Sequence, residues 1–124
     1  MTTFLDSNIL IEILKNKKKP VAKKHYVINP IVYAEVLYGL LYIKKKPSEF
    51  DEFLGRHNIE ILNIQRKTAE IYTTLKLELN RKGSPIEDND LLVAASCLEY
   101  DIPLVTGNVK HFDRIRELKV LETL

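Results

Sequence analysis

Strand-like and helix-like segments alternate along almost the whole chain, and this restricts the available folds more than any other feature. Thr2–Leu5, Tyr26–Ile28, Ile59–Leu62 and Pro103–Thr106 read as short strands, with Leu118–Leu121 as a candidate fifth. Helical apolar spacing lies between them. Ile9 with Ile13, and Leu10 with Leu14, predict a short helix over Asn8–Lys15. Pro30 suits the first turn of a helix reaching Ile43. Phe50, Phe53 and Leu54 predict a helix over Pro47–Arg56. Ala69, Tyr72, Leu75 and Leu79 predict a longer one over Arg66–Lys82, stopped by Gly83-Ser84-Pro85. Asn89–Tyr100 is helical and mostly apolar, and Lys17–Lys24 is a charged loop. Strands separated by helices predict an α/β fold, with a mainly parallel sheet of four to five strands flanked by helices. A length of 124 residues fits one domain over residues 1–124.

Composition narrows the function classes. A hydrophobic content of 45% supports a packed core. Cys97 is the only cysteine, so neither a disulfide framework nor a cysteine-based zinc site can form within the chain. That fits a reducing cytosol, and a cytoplasmic location is expected. No apolar run approaches the ~20 residues that span a bilayer. The N-terminus lacks the basic region of a signal peptide, so no membrane association is expected. Net charge is +2, but residues 15–46 hold nine lysines against one acid, Glu35. Such a zone is either a set of solvated loops or a surface for a polyanion such as nucleic acid.

Three acids stand where a reason is needed. In open α/β sheets, sites form beyond the carboxyl ends of strands. Asp6 follows the first strand, and Thr106-Gly107-Asn108 follows the fourth. Glu35 is the only charged side chain from Pro30 to Ile43, on a helix apolar on nearly all faces and therefore expected to be buried. A lone carboxylate there is costly unless paired or metal-bound. An ion pair with a nearby lysine, or a helix face reaching solvent, would also account for it. Asp90 heads the run NDLLVAASCL, where the helix dipole favours an acid by roughly 0.3–1 kcal/mol. Asp88 is either the cap of that helix or a further acid, and Asp6 either caps a helix or belongs to a site. Brought together from three segments, Asp6, Glu35 and Asp90 offer oxygen ligands suited to Mg²⁺ or Mn²⁺. Such sites hydrolyse phosphodiesters. No phosphate-cradling glycine motif is present. His25, His57 and His111 stand apart and read as structural or surface residues, and Cys97 as core. Tyr33, Tyr38 and Tyr42 read as core packing or a subunit interface.

The runs FLDSNILIEIL, IVYAEVLYGL, PIEDNDLLVAAS and PLVTGNVKHF resemble, in order and spacing, the four signature blocks of the PIN-domain family. The likeness is greatest to its small prokaryotic members, the VapC-type toxins of toxin–antitoxin pairs. The resemblance implies a small α/β fold and a metal-dependent endoribonuclease, the toxin of a type II system, with its acids at one edge of a parallel sheet. It implies catalytic roles for Asp6, Glu35, Asp90 and Asn108, the first three as metal ligands, with Asn8 and Thr106 in support; Asp88 stands off the family's core position but, as in some relatives, is a candidate supporting acid. Where many relatives carry a fourth acid this chain has Asn108, a weaker ligand, so one firm Mg²⁺ (or Mn²⁺) site is expected. Lys17, Lys18, Lys19, Lys44 and Lys45 are expected to attract RNA. The family also implies a homodimer and a VapB-like antitoxin, whose tail lies in a groove beside the acids. The rival class is a degenerate PIN fold that binds RNA or protein without cutting. Asn108 favours the rival, and the three retained acids weigh against it.

Overall fold

The apolar runs are only a few residues long, and each becomes a strand by pairing with runs distant in sequence. In a computed structural model describing residues 1–124, the order is β1 (Thr2–Leu5), α1 (Ser7–Leu14), β2 (His25–Ile28), α2 (Pro30–Tyr42), α3 (Pro47–Arg56) and β3 (Ile59–Ile61). It continues with α4 (Arg66–Arg81), α5 (Asp88–Tyr100), β4 (Leu104–Val105), α6 (Val109–Phe112) and β5 (Val120–Leu121). The strands form one sheet in the order β3-β2-β1-β4-β5, and every pairing is parallel. Phe4 lies opposite Val27 on one side and Leu104 on the other, and Leu5 opposite Val105. A parallel sheet covered by helices is buried on both faces, so its central strands are apolar without alternation. Phe4, Leu5, Val27, Ile28, Leu104 and Val105 are accordingly sealed from solvent.

All strands point one way, so their carboxyl ends share one edge. β1 and β4 lie side by side there, and Asp6 N–H donates to the Val105 carbonyl at 3.0 Å. On the helical layer, Gln65 and Thr68 at the start of α4 donate to Glu99 near the end of α5. Tyr72 and Lys76, further along α4, bond Asp88 at the start of α5. The two helices therefore run antiparallel. No helix is long and apolar enough to cross a membrane.

The architecture agrees with the α/β expectation, with five strands and a wholly parallel sheet. Three local expectations need correction. The last long helix begins at Asp88, with Glu87 rather than Asp88 at its cap. The one-turn α6 was not foreseen, because four residues are too few to show a helical period. The apolar helix α2 is not buried all round. Only Val32 and Val36 are fully enclosed, while Tyr38 and Tyr42 are 72% and 80% exposed. Its composition exceeds what the sheet and neighbouring helices can cover.

Candidate active site

Asp6 sits where β1 ends and α1 begins, where it caps the helix and also lies among the other acids of the sheet edge. Its Oδ1 accepts from Ser7 N–H at 2.9 Å at the head of α1. Its Oδ2 accepts from Thr106 Oγ1 at 2.7 Å and from Asn8 Nδ2 at 3.2 Å. The carboxylate is only 4% exposed and is held by three donors. The supporting residues are locked in turn. Asn8 Oδ1 accepts from Gly107 N–H at 3.0 Å, and Thr106 Oγ1 accepts from Asn108 N–H at 3.0 Å. The two strand ends thus form one hydrogen-bonded unit. The Asn108 side chain is exposed and makes no bond within the protein.

Glu35 projects from α2 at the same edge, accessible to solvent and without an ion pair. Burial raises its pKa, as do the charges of Asp6, Asp90 and Glu87. Asp90, in the first turn of α5, is also raised, chiefly by burial and further by Asp6 and Glu87. His111 opposes this, since its Nε2 lies 2.8 Å from Asp90 Oδ2. Asp6, Glu35 and Asp90 are therefore brought within electrostatic reach of one another. Asp88 is turned away. It bonds Tyr72 Oη and Lys76 Nζ on the flank of α4, and these hold its carboxyl below the usual range.

This donor set fits a hard divalent cation. The acids repel one another, none is neutralised by Lys or Arg, and their oxygens suit an ion that dehydrates reluctantly. No three His, Cys, Asp or Glu side chains close on a single point. A divalent ion held there would keep some of its waters, with only one or two carboxylates bound to it directly. Asp6, Glu35 and Asp90 are the residues that would hold it.

The lysine zone lies elsewhere. α1 and α2 start at the carboxyl edge and run away from it. Lys44 is nine residues beyond Glu35, or about 13 Å along a helical rise. Lys15 and Lys45 meet at the far ends of these helices, beside a 680 Å³ groove lined by Ile11, Leu14, Val36, Leu40, Ile43 and Phe53. The structure does not bring Lys17, Lys18, Lys19, Lys44 or Lys45 to the acids. Arg114 reaches the acids through His111; with Lys82 and Arg116 it also lines a smaller hollow beside α4, together with Glu78 and Glu117.

Three residues at the site escaped the sequence reading. Glu87 is three positions before Asp90 and shares its side of the helix start, whereas Asp88 does not. His111 is likewise three positions after Asn108, a spacing that becomes informative only once α6 is known. Asn29 is fully buried. Its Oδ1 caps α2 through Ile31 and Val32 N–H, and its Nδ2 donates to Ser96 Oγ at 2.9 Å and the Leu92 carbonyl at 3.3 Å on α5. It sets the helix of Glu35 against the helix of Asp90.

Comparison with known proteins places this arrangement in a family. Residues 3–118 match the model of the PIN domain. The chain is 36% identical to Ribonuclease VapC2 of Rickettsia felis, across 95% of each chain. It is 26% identical to the tRNA(fMet)-specific endonuclease VapC of Salmonella typhimurium, across 94% of this chain and 93% of that one. A crystal structure of VapBC2 from Rickettsia felis bound to a promoter DNA fragment superimposes with a TM-score of 0.83 at 33% identity, covering 98% of both chains. The match to the family model and the similarity to Ribonuclease VapC2 agree with the acids gathered at the sheet edge: the chain belongs to the PIN-domain family.

Proposed function

We propose that this protein is an endoribonuclease that cuts RNA phosphodiester bonds, the toxin of a type II toxin–antitoxin pair, and that Asp6, Glu35 and Asp90 hold a Mg²⁺ or Mn²⁺ ion for the reaction. One observation carries the reading. Three mutually repelling carboxylates sit at the carboxyl edge of a parallel sheet, with donors that fix two of them and no Lys or Arg paired to any. Relatives named as ribonucleases support RNA as the substrate.

A bound divalent cation supplies Lewis acidity, making water a better acid and offsetting charge on the phosphate. The chain supplies placement. Thr106 and Asn8 hold the Asp6 carboxylate in one orientation, and Asn29 keeps α2 and α5 in register. The free amide of Asn108 can orient a phosphate oxygen or a water. Lys82 and Arg116, lining the hollow beside α4, are candidates to hold neighbouring phosphates of the strand.

The proposal includes two protein partners. The solved VapBC complexes among the structural relatives support a VapB-like antitoxin. The apolar groove along α2, rather than one beside the acids, has the chemistry to receive an amphipathic segment bearing carboxylates, since Lys15, Lys45 and Arg56 line it alongside the apolar residues. The second partner is another copy of the chain, docking on the exposed apolar face of α2, where Tyr38, Leu41 and Tyr42 are 72%, 48% and 80% exposed, or on α4, where Leu77 is 51% exposed.

The test is cleavage of a labelled single-stranded RNA with Mg²⁺, with Mn²⁺ and with EDTA, using wild-type and Glu35→Gln protein. Glu35 makes no hydrogen bond and is solvent-accessible, so its loss does not disturb folding. Cutting that needs the cation and disappears in the variant is the expected result. Equal activity in both proteins would mean a contaminating ribonuclease. RNA binding without cutting by wild type, under all three conditions, would favour the non-catalytic module.

A further inference from the structure

We infer that Arg114 and His111 form a positioning pair that aims the Asp90 carboxylate into the site. The inference rests on the cation-binding reading above and adds two residues to it.

Donor chemistry fixes the histidine tautomer. A guanidinium has no acceptor and stays protonated, so Arg114 Nη2, 2.6 Å from His111 Nδ1, must donate there. Nδ1 then carries the lone pair, and the ring hydrogen belongs to Nε2. At 2.8 Å from Asp90 Oδ2, that Nε2 donates to the carboxylate. Oδ2 is thereby engaged, while Oδ1 receives no donor from the protein and is left for a ligand. The ring is steadied by the buried Phe112, edge-on at 5.3 Å between centroids.

Arg114 also joins the two segments that must agree. Its Nε donates to the His111 carbonyl at 3.1 Å, and its Nη1 to the Pro85 carbonyl at 2.8 Å. Pro85 lies in the loop that leads into α5 and Asp90, while His111 lies on α6 after β4. One planar fork therefore grips both sides of the contact, a geometry lysine cannot reproduce. Hydrogen bonds to a ligating carboxylate commonly govern metal affinity, with losses of 10–100-fold when they are removed.

The sign of the effect separates this role from simple electrostatics. As a bare positive charge near three acids, Arg114 would weaken cation binding, and its removal would tighten it. As a positioning residue, its removal loosens Asp90 and weakens binding.

Calorimetric titration with Mn²⁺ decides between them. Arg114→Met and His111→Leu are each expected to weaken binding by about tenfold. His111→Gln offers an amide donor to Asp90 and a carbonyl acceptor to Arg114 at similar separation, so it should recover most of the affinity. Arg114→Lys keeps the charge without the fork and should also weaken binding, which covers the case of Arg114→Met failing to fold. The double variant Arg114→Met/His111→Leu should bind only slightly more weakly than His111→Leu alone, because the arginine acts mainly through the histidine and only in part through Pro85. Unchanged or tighter binding in both Arg114 variants would overturn the inference, as would full additivity in the double variant. Wild-type protein that binds no Mn²⁺ would overturn the cation reading itself, and this inference with it.

Discussion

Asp6 and Glu35 carry the same charge at the same edge, but the chain holds them in opposite ways. Asp6 is enclosed and accepts three hydrogen bonds, two of them from side chains whose other atoms are already engaged. An amide at this position would point its NH₂ at one of those donors. Asp6→Asn should therefore cost about 1–3 kcal/mol of stability besides abolishing cleavage, measured by chemical denaturation. The helix-cap and active-site readings of Asp6 are alternatives in the sequence; the structure shows the cap and also places the carboxylate beside Glu35 and Asp90, so the two roles are compatible. Glu35 should behave in the reverse way. Its folded pKa is raised above the unfolded one, so the native state binds its proton more tightly. Stability then falls as pH rises from the unfolded value, near 4.3, through the folded value, and the deficit is complete above it. Glu35→Gln should raise the thermal midpoint at pH 7 by about 2 °C, a small amount because solvent screens an exposed group. The gain should vanish as pH falls towards about 4. A variant melting below wild type at neutral pH would show that Glu35 has a stabilising partner.

Among the elements, α2 and α5 matter most, since they deliver two of the acids from opposite sides of β1. Their register depends on Asn29, which caps one helix and bonds the other from a fully buried position. Asn29→Ala removes a cap worth about 1 kcal/mol and leaves Ser96 and the Leu92 carbonyl without their partner. A total loss of about 2–4 kcal/mol is expected by urea denaturation. Asn29→Ser should restore the cap alone and recover about 1 kcal/mol. Equal stability of the Ala and Ser variants would mean that the cap contributes nothing here. The strands and long helices were legible because apolar spacing reports burial directly, and Asp6, Glu35 and Asp90 because acids beside apolar runs demand an explanation. Asn29 was not legible: asparagine before a proline-led helix is an ordinary cap, and its second set of bonds reaches residues more than sixty positions away. His111 was hidden for a similar reason, since its partner Asp90 lies on another helix and α6 is a single turn. The exposure of α2 also escaped, because its apolar run has no polar face to signal which side meets solvent.

Over the whole molecule, parallel topology separates the charges into two zones. The acids occupy the carboxyl edge, the Lys82–Arg116 hollow lies beside α4, and the lysine-rich loops gather where α1 and α2 end. The sequence showed the lysine excess but not its location, because only the direction of the helices relative to the sheet places it away from Asp6. Under the proposed function, two polyionic partners would have separate addresses, RNA at the acid edge and an antitoxin segment along the groove. The consequence is measurable in salt. Each lost phosphate contact on single-stranded RNA should flatten the slope of log affinity against log salt by about 0.7. Lys82→Gln/Arg116→Gln removes up to two such contacts and should flatten the slope for RNA by about 1.4. Replacing Lys17, Lys18, Lys19, Lys44 and Lys45 with Gln removes more than twice the charge, yet should leave that slope near wild type and weaken capture of the antitoxin instead. Fluorescence anisotropy with labelled RNA, across a salt series in EDTA to prevent cutting, reads the first effect; calorimetry with the antitoxin's acidic segment reads the second. A five-lysine variant that loses RNA affinity more steeply than the Lys82/Arg116 pair would place the RNA path across the far ends of α1 and α2, and the separation of addresses would be wrong.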